Sequence, residues 1–174
     1  MILGVLSDTH GNLGLMLRAA ETARAVLGAA HLVHLGDDWE DQEALAHAGY
    51  AVSGVPGLWC DAYSRPAIPK ARVDVFDGLT IAYAHFDRDL PPLASDVGLV
   101  LAGHTHRAEI GRYKGRPYLN PGHLKQPKDR GRPATFGLIT IEPEALHLAI
   151  HDLAGKVLQT KTHARAHLAG GRPS

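Results

Sequence analysis

Cysteine is nearly absent from this chain of 174 residues, which contains only Cys60. An intramolecular disulfide is therefore excluded, and a reducing compartment is the natural setting for such a chain. No apolar run approaches the roughly 20 residues that are needed to span a bilayer. The first residues carry no basic segment ahead of an apolar stretch, so they do not have the pattern of a secretory signal. We therefore expect a cytoplasmic protein that has no membrane partner.

Net charge is also missing, because 18 Lys and Arg residues balance 18 Asp and Glu residues. A chain without a global positive charge has no electrostatic preference for nucleic acid or anionic membranes. Nucleic acid is therefore not expected as a partner, except as a nucleotide-type substrate. Hydrophobic residues make up 45% of the chain, and its length suits one domain with a sizeable core. We predict a single domain over residues 1–168 and a disordered tail over 169–174.

Histidine, in contrast, is abundant, with 12 residues in the chain. Two of them, His104 and His106, follow the apolar run 97–102 and Gly103. Such a short aliphatic run predicts a buried strand, and side chains two apart in extended chain point to the same side. Both imidazoles can therefore face one cavity, where neutral ring nitrogens suit a divalent metal. Two surface histidines in a turn are the alternative interpretation.

Three other predicted strands end in the same kind of residue. These strands are predicted over 1–6, 31–35 and 79–84, and the residues that follow them are Asp8, His10, Asp37 and His85. Asp8 and His10 repeat the spacing of two with a carboxylate and an imidazole. Because the carboxyl ends of parallel strands meet at one edge of a sheet, we expect these side chains to gather at one site.

The predicted elements change from parallel to antiparallel along the chain. Helices predicted over about 13–27 and 39–48, capped by Asn12 and Asp38, alternate with the first strands as in a βαβ unit. Later segments alternate with period two, and Asp77-Gly78 predicts a hairpin turn. The economical arrangement is an α/β (α+β) fold, a four-layer α-β-β-α sandwich of two mixed β-sheets with the helices outside.

Several short segments together resemble the calcineurin-like metallophosphoesterases. The segments are Asp8-Thr9-His10-Gly11-Asn12, Gly36-Asp37, His85, Gly103-His104-Thr105-His106 and Asn120-Pro121-Gly122, in that order. The resemblance covers nearly the whole chain and is closest to the small bacterial and archaeal phosphodiesterases of that superfamily. It implies the metallophosphoesterase fold and a site of two divalent ions, with manganese expected and iron, zinc or nickel as alternatives.

The resemblance also implies a role for each ligand-type residue. The first metal would be held by Asp8, His10, Asp37 and His106, and the second by Asp37 as a bridge together with His85 and His104. Asp8, Asp37 and His104 are expected to act most directly in catalysis. Carboxylate and imidazole donors without thiolate suit such a site better than a structural zinc. Two ions can share a hydroxide nucleophile and clamp the phosphoryl oxygens of a small phosphoester.

One ligand of the family is missing. The family supplies an asparagine to the second metal after its third strand, but residues 54–61 contain none. Leu58 is the expected occupant of that position, with Val55 or Trp59 as alternatives. Three outcomes stay open: Asp61 replaces the ligand, a backbone carbonyl or water fills a weaker second site, or the second site is empty. We expect the weaker second site.

The same segment bears on the substrate. In the monoesterases and protein phosphatases of the family, a histidine after that asparagine protonates the leaving group. No histidine occurs between His47 and His85, so we expect phosphodiesters whose leaving groups depart without protonation. Asn12, Trp59 and His123 are candidate substrate contacts. For Trp59 simple packing is the alternative, and for His123 a solvent-facing position is the stronger expectation.

Other functions stay open at this point. The family contains a binding subunit, in the retromer coat, so the chain could be a scaffold or regulatory protein with weak or absent catalysis. The missing asparagine favours that alternative, whereas the six retained ligand-type residues favour the enzyme. A dinuclear hydrolase of a non-phosphate ester is a third hypothesis. The oligomeric state is not fixed by the sequence, and a homo-oligomer is compatible with it.

Overall fold

The chain begins with the alternating strands and helices that the sequence predicts. In the computed structural model, which describes residues 1–168, this part contains β1 (Ile2–Leu6), α1 (Leu13–Glu21), β2 (His31–His34), α2 (Trp39–His47) and β3 (Val52–Gly54). The side chain of Asn12 caps α1 by accepting a hydrogen bond from the Leu15 amide at 3.1 Å. The expected cap of α2 was wrong in detail, because Asp38 precedes that helix without any capping hydrogen bond from its side chain.

Strands dominate the remainder of the chain. They are β4 (Ala71–Phe76), β5 (Leu79–Ala84), β6 (Val97–Ala102), β7 (Glu109–Tyr113), β8 (Arg116–Asn120), β9 (Lys128–Asp129), β10 (Arg132–Pro133), β11 (Thr135–Ile141), β12 (Ala145–Asp152) and β13 (Val157–Ala164). Asp77 and Gly78 both adopt positive φ between β4 and β5, as a two-residue hairpin turn requires. The predicted tail over 169–174 lies outside the described residues.

These strands form two mixed sheets that pack face to face. The six-stranded sheet has the order β13-β12-β11-β1-β2-β3, and the five-stranded sheet has the order β4-β5-β6-β8-β7. β1, β2 and β3 are parallel, as are β5, β6 and β8. The short strands β9 and β10 pair only with each other. The predicted pair of mixed sheets is therefore confirmed.

Burial of apolar side chains between the layers holds the sandwich together. Tyr83 and Leu101 of one sheet meet Val5 and Ile139 of the other in a core whose members are almost completely buried. On the outer face of the six-stranded sheet, Met16 and the other apolar residues of α1 and α2 cover Leu6, Leu32 and Phe136. Both helices therefore lie on the same outer face.

The other outer face has a much thinner cover. Between β5 and β6 the chain forms only a short 3₁₀ turn, Asp87–Asp89, and a loop that packs Leu90 and Leu93 on that face. Pro91 and Pro92 lie in this connection, and proline lacks the amide hydrogen that a helix interior needs. The fourth layer is consequently a proline-containing loop rather than an α-helix. Within residues 1–168, no helix is long and apolar enough to cross a membrane.

Candidate active site

Four loops bring the candidate ligands to one end of the sandwich. They follow β1, β2, β5 and β6, and they carry all six residues named above, Asp8, His10, Asp37, His85, His104 and His106. Four of the six have left-handed backbone, with φ of 55° at Asp8, 47° at His10, 67° at His104 and 56° at His106. This conformation costs a residue with a Cβ about 1–2 kcal/mol. Such backbone strain is common where the fold must orient particular side chains.

A first group of donors consists of Asp8, His10 and His106. The Nε2 atoms of the two histidines lie 3.0 Å apart. His106 Nε2 lies 3.3 Å from Asp8 Oδ1. His10 Nε2 is also 3.3 Å from Asp37 Oδ2, so Asp37 adjoins this group through His10.

A second group consists of Asp8, Asp37 and His85. Asp37 uses its other oxygen here, with Oδ1 at 3.5 Å from His85 Nε2. His104 joins through Nδ1, which lies 3.3 Å from His85 Nε2. The two oxygens of Asp37 therefore face the two groups, which is the position of a bridging carboxylate.

The tautomers of two histidines follow from the partners of their other nitrogens. His106 Nδ1 lies 2.9 Å from a carboxylate oxygen of Asp129, and His85 Nδ1 lies 2.8 Å from the carbonyl oxygen of Leu35. Both partners are acceptors, so each neutral ring carries its proton on Nδ1. The lone pair of each Nε2 then points at a carboxylate of the site, that of Asp8 or Asp37.

In this arrangement the Nε2 lone pairs of His106 and His85 face the carboxylate oxygens of Asp8 and Asp37, which are also hydrogen-bond acceptors. Asp8 is completely buried, and its Oδ1 has no hydrogen-bond donor. Lone pairs that face one another at 3.3–3.5 Å repel unless a positive charge lies among them. The donor set therefore fits divalent cations, with carboxylate and imidazole ligands and no thiolate.

The pKa values of the two carboxylates in the site are shifted in opposite directions. Burial raises the pKa of Asp37, and the neighbouring Asp8 raises it further. Burial also acts to raise the pKa of Asp8, but the adjacent imidazoles of His106 and His85 outweigh it and lower the pKa. The same contact between Asp8 and His106 raises the pKa of His106. A proton can thus partly replace a cation here, and the two would compete.

Close packing around the donors depends on glycine. Gly57 donates its amide hydrogen to the carbonyl oxygen of Asp37 at 2.7 Å, and a Cβ on Gly57 would collide with the backbone of Asp37. At Gly103 a Cβ would collide with the hydroxyl of Ser7 and lie 2.8 Å from Asp8 Oδ2. These two glycines let neighbouring loops approach the ligands closely.

Residues 54–61 do not bring a substitute side-chain ligand to the donors. Val55 is buried in the core between the sheets, and Asp61 is exposed at the start of a short helix, Asp61–Ser64. Among the described residues, the groups that could hold an ion do not include Asp61. Leu58 is half-buried, whereas Trp59 is 88% exposed, so simple packing of Trp59 is wrong.

The other candidate contacts have structural partners. Asn12 caps α1 and also donates to the carbonyl oxygen of Lys125 at 2.9 Å. His123 is fully buried, with Nε2 at 3.2 Å from the carbonyl oxygen of Arg132. The expected solvent-facing position of His123 was therefore wrong, because residues 124–134 fold back over the ring. This burial also leaves His123 without direct access to a substrate in this conformation.

Two carboxylates, those of Asp129 and Asp41, lie near the site although the sequence does not predict it. Asp129 contacts His106 from within a loop of basic residues, where no pattern distinguishes it. Asp41, in the first turn of α2, accepts a hydrogen bond from the Thr9 hydroxyl between two candidate ligands. Burial raises the pKa of Asp41 to about 6. Its position suggested only a favourable charge at a helix N-terminus.

A cavity of about 290 Å³ adjoins the first group of donors. His106 forms part of its wall, and the guanidinium-bearing residues Arg107 and Arg132 line it together with the apolar Ile150 and Leu158. A cavity of this size suits a small organic group, and the arginines suit an anionic one.

Comparison with known families agrees with this geometry. The family model of the calcineurin-like phosphoesterase superfamily domain matches residues 1–144. The chain therefore belongs to the calcineurin-like phosphoesterase superfamily. A search of curated proteins finds no match.

Solved structures share the fold at low sequence identity. YfcE, a phosphoesterase from E. coli, is 22% identical with a TM-score of 0.72, and the match covers 92% of this chain and 98% of YfcE. Vps29 from Entamoeba histolytica, solved in complex with Zn²⁺, is 19% identical with a TM-score of 0.62 over 94% and 99% of the two chains. A novel archaeal phosphodiesterase is 16% identical with a TM-score of 0.61, again over 94% and 99%.

The packing of Gly57 on Asp37 predicts that Gly57→Ala damages the site. We expect weaker Mn²⁺ binding and a loss of about 1–3 kcal/mol in unfolding free energy, because the added methyl group must push the two loops apart. Isothermal titration calorimetry and thermal unfolding measure the two effects. Gly14→Ala is the control, since its Cβ would meet nothing closer than Asn12 Oδ1 at 3.7 Å. Wild-type behaviour of Gly57→Ala would contradict the described packing.

The raised pKa of Asp41 predicts a pH-dependent effect of Asp41→Asn. The folded state holds the Asp41 proton more tightly than the unfolded state, so ionisation costs stability as pH rises from about 4 through 6. Asparagine keeps an acceptor for Thr9 and does not ionise. The melting temperature of the variant, relative to wild type, should therefore increase across this range in EDTA-containing buffer. A flat difference across this range would refute the assignment.

Proposed function

We propose that this protein is a divalent-metal-dependent phosphoesterase that acts on small phosphodiesters at a dinuclear centre. The observation that carries this proposal is the convergence of imidazole nitrogens and carboxylate oxygens on one end of the sandwich. The acceptor atoms of His106 and His85 lie 3.3 and 3.5 Å from carboxylate oxygens, which is a poor arrangement for the protein alone. They are a good arrangement for holding cations.

In this proposal the residues divide into two sets of ligands. The first ion is held by Asp8, His10, Asp37 and His106, and the second by Asp37, His85 and His104. Bound ions would lower the pKa of a coordinated water and polarise the phosphoryl oxygens. The protein positions the carboxylates: the His104 amide donates to Asp8 Oδ2 at 3.0 Å, and the His10 amide donates to Asp37 Oδ2 at 3.2 Å.

The preference for diesters rests on the segment that lacks asparagine. Residues 54–61 bring no histidine and no carboxylate to the donors, so this segment supplies no acid to protonate a leaving group. Leaving groups that depart as stabilised anions do not need one. The neighbouring cavity, with Arg107 and Arg132 beside Ile150 and Leu158, would accommodate the second ester substituent.

We propose manganese as the metal, with iron, zinc or nickel as alternatives, and a second ion that is held more weakly than the first. In the sets proposed above, the second ion has three donors and no amide ligand from residues 54–61, whereas the first ion has four. The Zn²⁺ complex of the related Vps29 supports divalent metal binding on this fold. A cytoplasmic location remains our prediction.

A scaffold or regulatory protein with weak or absent catalysis is the second candidate. Vps29 proteins are among the structural neighbours, and the expected amide ligand is absent. The edge strand β4 also exposes Val73 and Val75, at 48% and 67% of their surface. Exposed apolar side chains on an unpaired edge suit a protein partner.

The proposed chemistry predicts that Asp37→Asn abolishes most phosphodiesterase activity. Losing the bridging carboxylate should cost more than the roughly 10–100-fold typical of an outer partner of a ligand. Hydrolysis of a chromogenic diester and a chromogenic monoester with Mn²⁺ measures the effect, and the diester should be preferred. Asp38→Asn, next in sequence, is the control. Turnover of both esters by wild type at the level of Asp37→Asn would reject the enzyme and favour the scaffold.

The unequal ligand sets predict two metal affinities. Titration of EDTA-treated protein with Mn²⁺ should show one tight and one weak site per chain, because the second ion lacks an amide ligand. Asp61→Asn should leave both affinities unchanged, since Asp61 lies away from the donors. A single ion per chain at saturation would refute the dinuclear version.

A further inference from the structure

One buried carboxylate outside the six proposed ligands touches the donor set. Asp129 Oδ2 lies 2.9 Å from His106 Nδ1, and the two side chains are only 8% and 10% exposed. The opposite nitrogen of the same ring, Nε2, faces Asp8 Oδ1 at 3.3 Å and His10 Nε2 at 3.0 Å. His106 therefore connects a buried carboxylate to the point where the first group of donors meets.

A carboxylate at this position does more than fill space. It accepts from Nδ1–H, so the neutral ring must present a lone pair on Nε2. It also fixes rotation of the ring and makes Nε2 a better donor to a cation. A neutral imidazole without such a partner would divide its proton between two nitrogens, and one of the two tautomers cannot bind a metal through Nε2.

The chain holds Asp129 in place through the segment 123–134, which we call the brace. The Leu124 amide donates to the carbonyl oxygen of Asp8 at 3.1 Å, and the Lys125 carbonyl accepts from Asn12 at 2.9 Å. Within the brace, the Arg132 carbonyl lies 3.2 Å from His123 Nε2. The hairpin of β9 and β10, which includes Arg132, carries Asp129.

We infer that Asp129 is a positioning residue that sets the tautomer and orientation of His106 and thereby the affinity of the first metal ion. The inference rests on the proposed metal centre but not on the identity of the substrate. It assigns to the brace a role in metal binding that the basic composition of this loop does not suggest. A purely structural ion pair would instead contribute to stability and leave the ring tautomer unchanged.

The test compares Asp129→Ala, Asp129→Asn and the control Lys128→Ala. Lys128 is the exposed neighbour of Asp129 on β9. Calorimetric titration of EDTA-treated protein with Mn²⁺ should show the tighter site weakened about 10–100-fold in Asp129→Ala. Asp129→Asn should recover part of that loss, because its amide oxygen still accepts from Nδ1–H. Lys128→Ala should bind like wild type.

A second measurement separates positioning from stability. Long-range ¹H–¹⁵N NMR spectra of the histidine rings in metal-free protein, at a pH where His106 is neutral, should show the proton on Nδ1 in wild type. Asp129→Ala should move part of the population to Nε2. Thermal unfolding of each variant shows whether the fold is retained, and Asp129→Asn provides the answer if the alanine variant does not fold.

Each result decides a different question. Wild-type Mn²⁺ affinity in a folded Asp129→Ala would overturn the inference and leave the proposed function standing. Weaker binding with an unchanged His106 tautomer would also overturn it. Normal metal binding by wild type without phosphoesterase activity would reject the proposed function and leave the role of Asp129 intact. Absence of Mn²⁺ binding by wild type would overturn both.

Discussion

Repulsion between the lone pairs of histidine nitrogens and carboxylate oxygens at the end of the sandwich is the constraint on which the rest of the site depends. His106 and His85 each commit one ring nitrogen to an acceptor, which leaves the other nitrogen facing Asp8 or Asp37. Burial strengthens this repulsion, because little solvent is available to screen it. Holding these acceptors together therefore lowers the stability of the folded chain, and a bound cation would offset that loss.

The two-sheet core makes this arrangement sustainable. Every proposed ligand follows the end of a strand whose side chains are buried on one or both faces, so the loops begin from fixed points. The four positive φ values would together cost several kcal/mol in an isolated loop. Backbone contacts across the loops, such as Asp8 to the Gly36 carbonyl at 3.1 Å and Gly103 to the His85 carbonyl at 3.0 Å, hold them in that geometry.

The sequence predicted which donor residues lie close together but not which residues surround them. The apolar strands ahead of the ligands are local patterns that the sequence shows. The expectation that extended backbone aligns residues two apart was wrong, because Asp8, His10, His104 and His106 all have left-handed backbone. Asp129 and the burial of His123 depend on a segment that is anchored to Asp8 and Asn12, more than 100 residues away in the chain, and no periodicity records such a contact. The absence of a helix from the fourth layer is predictable from the sequence, since Pro91-Pro92 argues against a helix there.

The missing asparagine and the retained strain bear on function in opposite directions. Without the amide ligand, the second set of donors is incomplete, and a scaffold would tolerate that loss. A scaffold, however, gains nothing from left-handed backbone at four proposed ligands, from a Gly57 packed on Asp37, or from a buried Asp129 that orients a single histidine ring. Each of these features either lowers stability or limits which residue the position tolerates, and each affects only the geometry of the donor residues. Metal binding accounts for all of them, whereas a docking surface accounts for none, so these features favour a metal centre, which the proposed enzyme requires.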